Sequence, residues 1–228
     1  MSTHSTIVEV QNVSKSYISG KSTVQALKNV DLKIQKGAFM TITGPSGSGK
    51  STLLNILGLL DRPDSGLILL NEKPFELTDF DQVADVRART ISFIFQAFNL
   101  IPVLSVEENV MVPLFVRNDI SQKDKSARVE EWIHKVGLWN HRTHRPDELS
   151  GGQRQRVSIA RAMVTYPELI LADEPTANLD SKTAHSILEL MQKLNEEKKT
   201  TFIFATHDHN VQVFAKQTIV LIDGQIQK

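Results

Sequence analysis

One segment restricts the fold of this chain more than any other. Phe39–Thr43 (FMTIT) is an unbroken apolar and β-prone run, and it leads directly into Gly44-Pro45-Ser46-Gly47-Ser48-Gly49-Lys50-Ser51. The first part reads as a buried strand, and the second fits the pattern G-x-x-x-x-G-K-[ST] in full. A helical run, Lys50–Leu60, follows and is closed by the turn-rich Asp61-Arg62-Pro63-Asp64-Ser65-Gly66. A strand, a glycine loop and a helix in this order make an anion site. The glycines let backbone N–H groups turn inward, and the helix N-terminus adds partial positive charge. Gly44, Pro45, Ser46, Gly47, Ser48, Gly49 and Thr52 are therefore expected to line a phosphate site. Lys50 is expected to reach the outer phosphates, and the Ser51 hydroxyl to ligate Mg²⁺.

The rest of the chain agrees with an α/β core. Strand character recurs at Ile7–Val10, Val30–Ile34, Leu67–Leu70 and Ile91–Phe95, and again at Leu169–Ala172, Thr201–Ala205 and Thr218–Ile222. Between these groups the pattern changes to helices over Val106–Val116, Lys123–Val136 and Gly151–Thr165, with a further helix at Lys182–Glu197. The expected organisation is one core from 1–96 and 167–228 with an N-terminal β region, interrupted by a helical insertion over 97–166.

Two further segments carry chemistry. Leu169–Ala172 ends in Asp173-Glu174, which puts two carboxylates at a strand's C-terminal end, where ligands sit in open α/β sheets. Asp173 is placed to hold Mg²⁺, and Glu174 to accept a proton from an attacking water. Leu149-Ser150-Gly151-Gly152-Gln153 opens a helix with the S-x-x-Q spacing of a capping box. Its exposed glycine N–H groups make a second anion site of the same physical kind. Two such sites in one chain suit a two-fold dimer closing two shared sites.

These motifs resemble, in order, those of the nucleotide-binding subunits of ABC transporters: the phosphate loop, Gln96 at a strand end, the Leu-Ser-Gly-Gly-Gln signature, the Asp173-Glu174 pair, Ala177-Asn178-Leu179-Asp180, and His207 after a strand. The resemblance covers nearly the whole chain. It implies an α/β P-loop NTPase of ABC type, with an inserted helical subdomain and an N-terminal antiparallel β region. It also implies an ATPase with ATP and Mg²⁺ as cofactors. Tyr17 would stack on adenine. Gln96 would sense Mg²⁺ and His207 would contact the γ-phosphate. Ser150, Gly151, Gly152, Gln153 and Asp180 would close on the nucleotide of a partner chain in an ATP-bound homodimer. Gln96-Ala97-Phe98-Asn99-Leu100-Ile101-Pro102 and Val24-Gln25-Ala26-Leu27 are similar to the branch containing LolD and MacB, which serve lipoprotein release and efflux.

Composition supports this reading. Lys+Arg and Asp+Glu balance at 26 each, so no global charge favours nucleic acid. Cys is absent, which removes thiolate chemistry. No apolar run approaches the roughly 20 residues of a membrane helix. A separate membrane permease is the expected partner, with the chain peripheral to the cytoplasmic face of the inner membrane. A cell-division-type ABC ATPase and a soluble non-transport ABC ATPase are the alternatives. Phe98, Leu100, Ile101, Pro102, Val103 and Leu104 are expected to line a groove for the permease.

Overall fold

A computed structural model describes residues 5–20, 22–76 and 79–227. The chain opens with a long antiparallel hairpin, β1 (Thr6–Ser19) and β2 (Ser22–Gln35). Each strand is longer than the short apolar runs Ile7–Val10 and Val30–Ile34. The distal halves alternate weakly because they face solvent. β3 (Phe39–Thr43) is buried at every position and leads into α1 (Lys50–Leu57). This helix stops three residues before the expected end, where Gly58 caps it and Leu59 turns to φ 57°. β4 (Ser65–Leu70) and β5 (Lys73–Pro74) complete a four-stranded antiparallel sheet in the order β2-β1-β4-β5.

α2 (Phe80–Thr90) was not expected from the sequence. Only Val83 of this helix is buried, so no apolar period marks it; Asp79 starts it by accepting from the Asp81 and Gln82 amides. β6 (Ile91–Ile94) follows. After β6, α3 (Val106–Met111) tightens at Pro113 into a 3₁₀ turn, Val112–Leu114, instead of running on to Val116. α4 (Gln122–Lys135) and α5 (Gly151–Met163) complete the helical block. β7 (Leu169–Asp173), α6 (Ser181–Lys198), β8 (Thr201–Ala205), α7 (His209–Phe214), β9 (Gln217–Ile222) and β10 (Gln225–Gln227) finish the chain.

The second sheet runs β10-β9-β3-β8-β7-β6, parallel from β9 to β6, with β10 an antiparallel edge. Alternation along its strands sorts two cores. Met40, Ile42, Leu169, Leu171 and Ile203 face the small sheet across α1, where Leu53, Leu54, Ile56 and Leu57 fill the layer. Phe39, Ile170, Phe202 and Phe204 face the other way. There they pack with α5, α6, the buried Trp132 of α4, and Val106 and Val110 of α3. Each such aliphatic or aromatic burial contributes about 1.5–3 kcal/mol before entropy is counted. Asn109, fully buried, ties the loop before α3 by accepting from Ile101 N and donating to the Ile101, Leu104 and Ser105 carbonyls.

Candidate active site

Parallel register brings the motifs to one edge. Ile42 is level with Ala205, Asp173 with Ala205, and Ile94 with Ala172. The residues that follow these strands, Gly47 and Gly49 of the glycine loop, Gln96, Glu174 and His207, therefore emerge together. They border a cleft of about 820 Å³ that also takes Ser46, Lys50, Ser51, Thr52 and Asp173, with Val24–Ala26 and Lys28 from the hairpin and Asp223 on the far side.

The loop geometry demands its glycines. Gly44 sits at φ 149°, and a Cβ there would fall 2.0 Å from the Leu221 carbonyl oxygen. Gly49, at φ 103°, caps α1 in the left-handed region, and its Cβ would lie 2.4 Å from the Ala26 oxygen. Lys50 Nζ donates to the Gly44 and Pro45 carbonyls at 2.8 and 2.9 Å, which leaves one ammonium donor for an anion.

The acidic pair divides into two environments. Burial pushes the Asp173 carboxyl above its ordinary value. A hydrogen bond with Ser51 opposes this, the Glu174 charge adds to it, and Lys50 counters. Glu174 occupies a left-handed φ of 46° and is held by its neighbours. Thr206 Oγ1 donates to one carboxylate oxygen at 2.9 Å; the other lies 2.6 Å from His207 Nδ1 and accepts from the His207 amide at 3.2 Å. Thr206 was not singled out from the sequence, since a threonine after a strand carries no signal of its own. Asn178 was another omission from the candidate residues; its amide donates to the Gln96 carbonyl at 2.8 Å and ties the loop before α6 to the end of β6.

Tyr17 stands beside the cleft. It pairs across the hairpin with Val24, and its hydroxyl donates to Asp61 Oδ2 at 2.7 Å. The signature forms the capping box its spacing predicts: Gln153 N donates to Ser150 Oγ and Ser150 N to Gln153 Oε1, at 3.3 and 2.8 Å. Gly152 is packed so tightly on α6 that a Cβ would sit 2.5 Å from Thr183 Cγ2. Asp180 caps α6 through the Lys182 and Thr183 amides. None of Leu149–Gln153 lines the cleft. The apolar stretch 98–104 is also corrected: only its Asn99 borders the groove between α2, β6 and the 3₁₀ turn. Phe98, Leu100 and Leu104 are half-buried, whereas Ile101, Pro102 and Val103 are exposed.

A parallel sheet with a glycine loop opening a helix, a lysine within it and a carboxylate pair on the next-but-one strand defines a phosphate-loop NTPase. The ABC transporter family profile matches residues 27–177. The ABC transporter ATP-binding protein MJ0796 of Methanocaldococcus jannaschii is 44% identical over 97% of this chain and 96% of its own length. Its dimeric structure in a post-hydrolysis state bound to ADP and Pi superposes with a TM-score of 0.88 over 97% of both chains. The lipoprotein-releasing system ATP-binding protein LolD of Acinetobacter baylyi is 43% identical over 96% of each chain. The macrolide export ATP-binding/permease protein MacB of Syntrophobacter fumaroxidans is 43% identical over 97% of this chain, which spans 31% of MacB. The chain belongs to the ABC transporter family and is an ATP-binding and ATP-hydrolysing subunit that powers a membrane permease. No described helix is long and apolar enough to cross a membrane.

Proposed function

We propose that two copies of this chain close head-to-tail on ATP, each supplying the phosphate loop of one site and the signature of the other. The observation that carries this reading is the absence of Leu149–Gln153 from the cleft, although Ser150 and its glycines begin a second helix with free N–H groups. In this arrangement Lys50 and the loop amides bind the β- and γ-phosphates, and the partner's signature N–H groups complete the γ-phosphate cage. Glu174 accepts the proton of the attacking water, and His207 contacts the γ-phosphate. The hydroxyl of Ser51, the amide of Gln96 and the carboxylate of Asp173 form a hard-oxygen donor set that suits Mg²⁺. When bound, Mg²⁺ neutralises phosphate charge. No group of three or more His, Cys, Asp or Glu side chains forms a separate metal site among the described residues.

The permease partner is proposed to be a separate chain of the LolD or MacB kind, with the ATPase held at the cytoplasmic membrane face through it. Its docking place is the groove of about 830 Å³ lined by Phe93, Phe95, Val112, Pro113 and Val116, with Asp85, Arg87 and Arg161 at its sides. An amphipathic helix with apolar anchors and a charged flank fits this surface. The groove adjoins Gln96, and residues 97–166 would move as a lobe against the core when Gln96 engages nucleotide.

A mixing experiment tests the shared site. Lys50→Ala removes one phosphate donor. Gly151→Leu blocks the signature while its Cβ meets only ordinary contacts, 3.4 Å from Leu179 and 3.6 Å from the Asn178 oxygen. Each variant alone should be nearly inactive. Their mixture should regain ATPase activity, because one site of the heterodimer receives both intact halves. A mixture as inactive as its components would overturn the shared-site reading.

A further inference from the structure

Outside the cleft, a side-chain cluster with no role in the chemistry so far described holds Tyr17, the residue read as the stacking surface for adenine. We propose that Asp61 is a positioning residue for adenine: it fixes the Tyr17 ring at a set distance from the phosphate loop. The inference rests on the reading of Tyr17 as the surface on which adenine stacks.

Tyr17 lies near the end of the hairpin, where strand register alone leaves a ring free to swing. Its hydroxyl donates to Asp61 Oδ2 at 2.7 Å, and the Asp61 amide in turn donates to the Asn55 carbonyl of α1 at 3.2 Å. The phenol is thus tied at its far end, through Asp61, to the turn that closes the helix carrying the phosphate site. Asp61 is in turn immobilised. Its Oδ1 accepts from Lys15 Nζ at 2.8 Å and from the Arg62 amide at 2.7 Å. Lys15 also donates to the Arg62 carbonyl at 2.6 Å, and its ammonium lies 5.3 Å from the Tyr17 ring centroid.

Burial alone would push the Asp61 carboxyl up. The bonds from Lys15, from Tyr17 and from the Arg62 amide together hold it below its ordinary value, so it is a charged acceptor at neutral pH. Burial raises the Tyr17 phenol, and the Asp61 bond raises it further, so the hydroxyl remains a donor. Val24, the cross-strand partner of Tyr17, is exposed and lines the cleft. Directly paired residues of an antiparallel ladder share a face, so Tyr17 and Val24 present one continuous apolar surface toward the bound base. Lys15 supports the ring electrostatically from its own strand. A ring held at both the hydroxyl and the backbone loses little freedom when a base stacks on it, and such preorganisation appears as affinity.

Three single variants of the full chain and the Tyr17→Phe/Asp61→Ala double variant test this, each read by the KM for ATP, kcat at saturation, thermal melting, and inhibition by inorganic tripolyphosphate, which has phosphates and no base. Tyr17→Ala should raise KM by about tenfold or more, as loss of a stacking surface does. Tyr17→Phe keeps the ring and loses the anchor, and Asp61→Ala loses the same anchor from the other side. Each should raise KM by about 3- to 10-fold, with kcat within about twofold and tripolyphosphate inhibition unchanged. The double variant should bind ATP no more weakly than Asp61→Ala alone. An unchanged KM for Tyr17→Phe and Asp61→Ala, with Tyr17→Ala impaired, overturns the role of Asp61 and leaves stacking intact. An unchanged KM for Tyr17→Ala overturns the stacking reading itself. Equal weakening of tripolyphosphate and ATP by Asp61→Ala assigns Asp61 to the fold and also overturns the inference. If Asp61→Ala melts below the assay temperature, Tyr17→Phe decides alone, because it leaves the Asp61–Lys15 pair in place.

Discussion

His207 Nδ1 lies 2.6 Å from Glu174 Oε1, so the imidazole expected to contact the γ-phosphate and the carboxylate expected to act as base are bonded to each other. The His207 amide also donates to Oε1 and Thr206 Oγ1 to Oε2, which leaves one acceptor direction on Oε2. A carboxylate holding these donors is oriented but has limited capacity for a water. Engagement of His207 by phosphate would release it. His207→Ala is therefore predicted to lower single-turnover hydrolysis by about 10²-fold while leaving ATP binding near normal, the size of a lost transition-state donor. Thr206→Val should cost about tenfold through misorientation of Glu174. Single-turnover rates and a nucleotide titration check both.

Asp173 is held in conflict with the fold. Its carboxyl is raised by burial. Between the unfolded carboxyl's value of about 3.9 and the raised folded value, the unfolded chain has shed more protons. Stability therefore falls as pH rises through that window and stays reduced above it. Asp173→Asn keeps the shape and removes the charge. It is predicted to raise the melting temperature of the nucleotide-free chain at pH 7, to lose that advantage below about pH 4, and to abolish metal-dependent hydrolysis. Melting curves across pH would show the crossover.

Gly152 and Thr183 meet where the signature helix crosses α6. A Cβ at Gly152 would approach Thr183 Cγ2 to 2.5 Å. Gly152→Ala is predicted to destabilise the fold by about 1–3 kcal/mol through overpacking, despite the better helix propensity of alanine. Thr183→Ser removes that methyl group and should recover most of the loss, a non-additivity that urea denaturation of the double-mutant cycle would measure.

The sequence made the core legible where chemistry and period coincide. Phe39–Thr43 and Thr201–Ala205 form with the expected bounds, because a fully buried strand leaves an uninterrupted apolar run. The capping box at Ser150–Gln153 was readable from spacing alone, and the structure forms both of its bonds. α2 was not legible, since a helix that buries one residue has no stripe to show. Nor was the destination of Phe98–Leu104. Consecutive left-handed residues at Phe98 and Asn99, pinned through their carbonyls by Arg161, turn the stretch away from the groove it was expected to line. Arg161 comes from α5, more than sixty positions further along the chain, and no local pattern announces it. The partners of Glu174 and Tyr17 were hidden for the same reason.

The central claim is that Glu174 is the base of a site completed by a second copy of the chain. Light scattering of Glu174→Gln with and without ATP, together with its turnover, tests it most directly. The substitution keeps the side-chain shape and removes the proton acceptor. The predicted result is hydrolysis reduced by about 10²–10⁴-fold, undiminished ATP binding, and a mass that doubles from 25.5 kDa when ATP is added. Undiminished turnover, or a mass that stays at one chain at every ATP concentration that saturates binding, would contradict it.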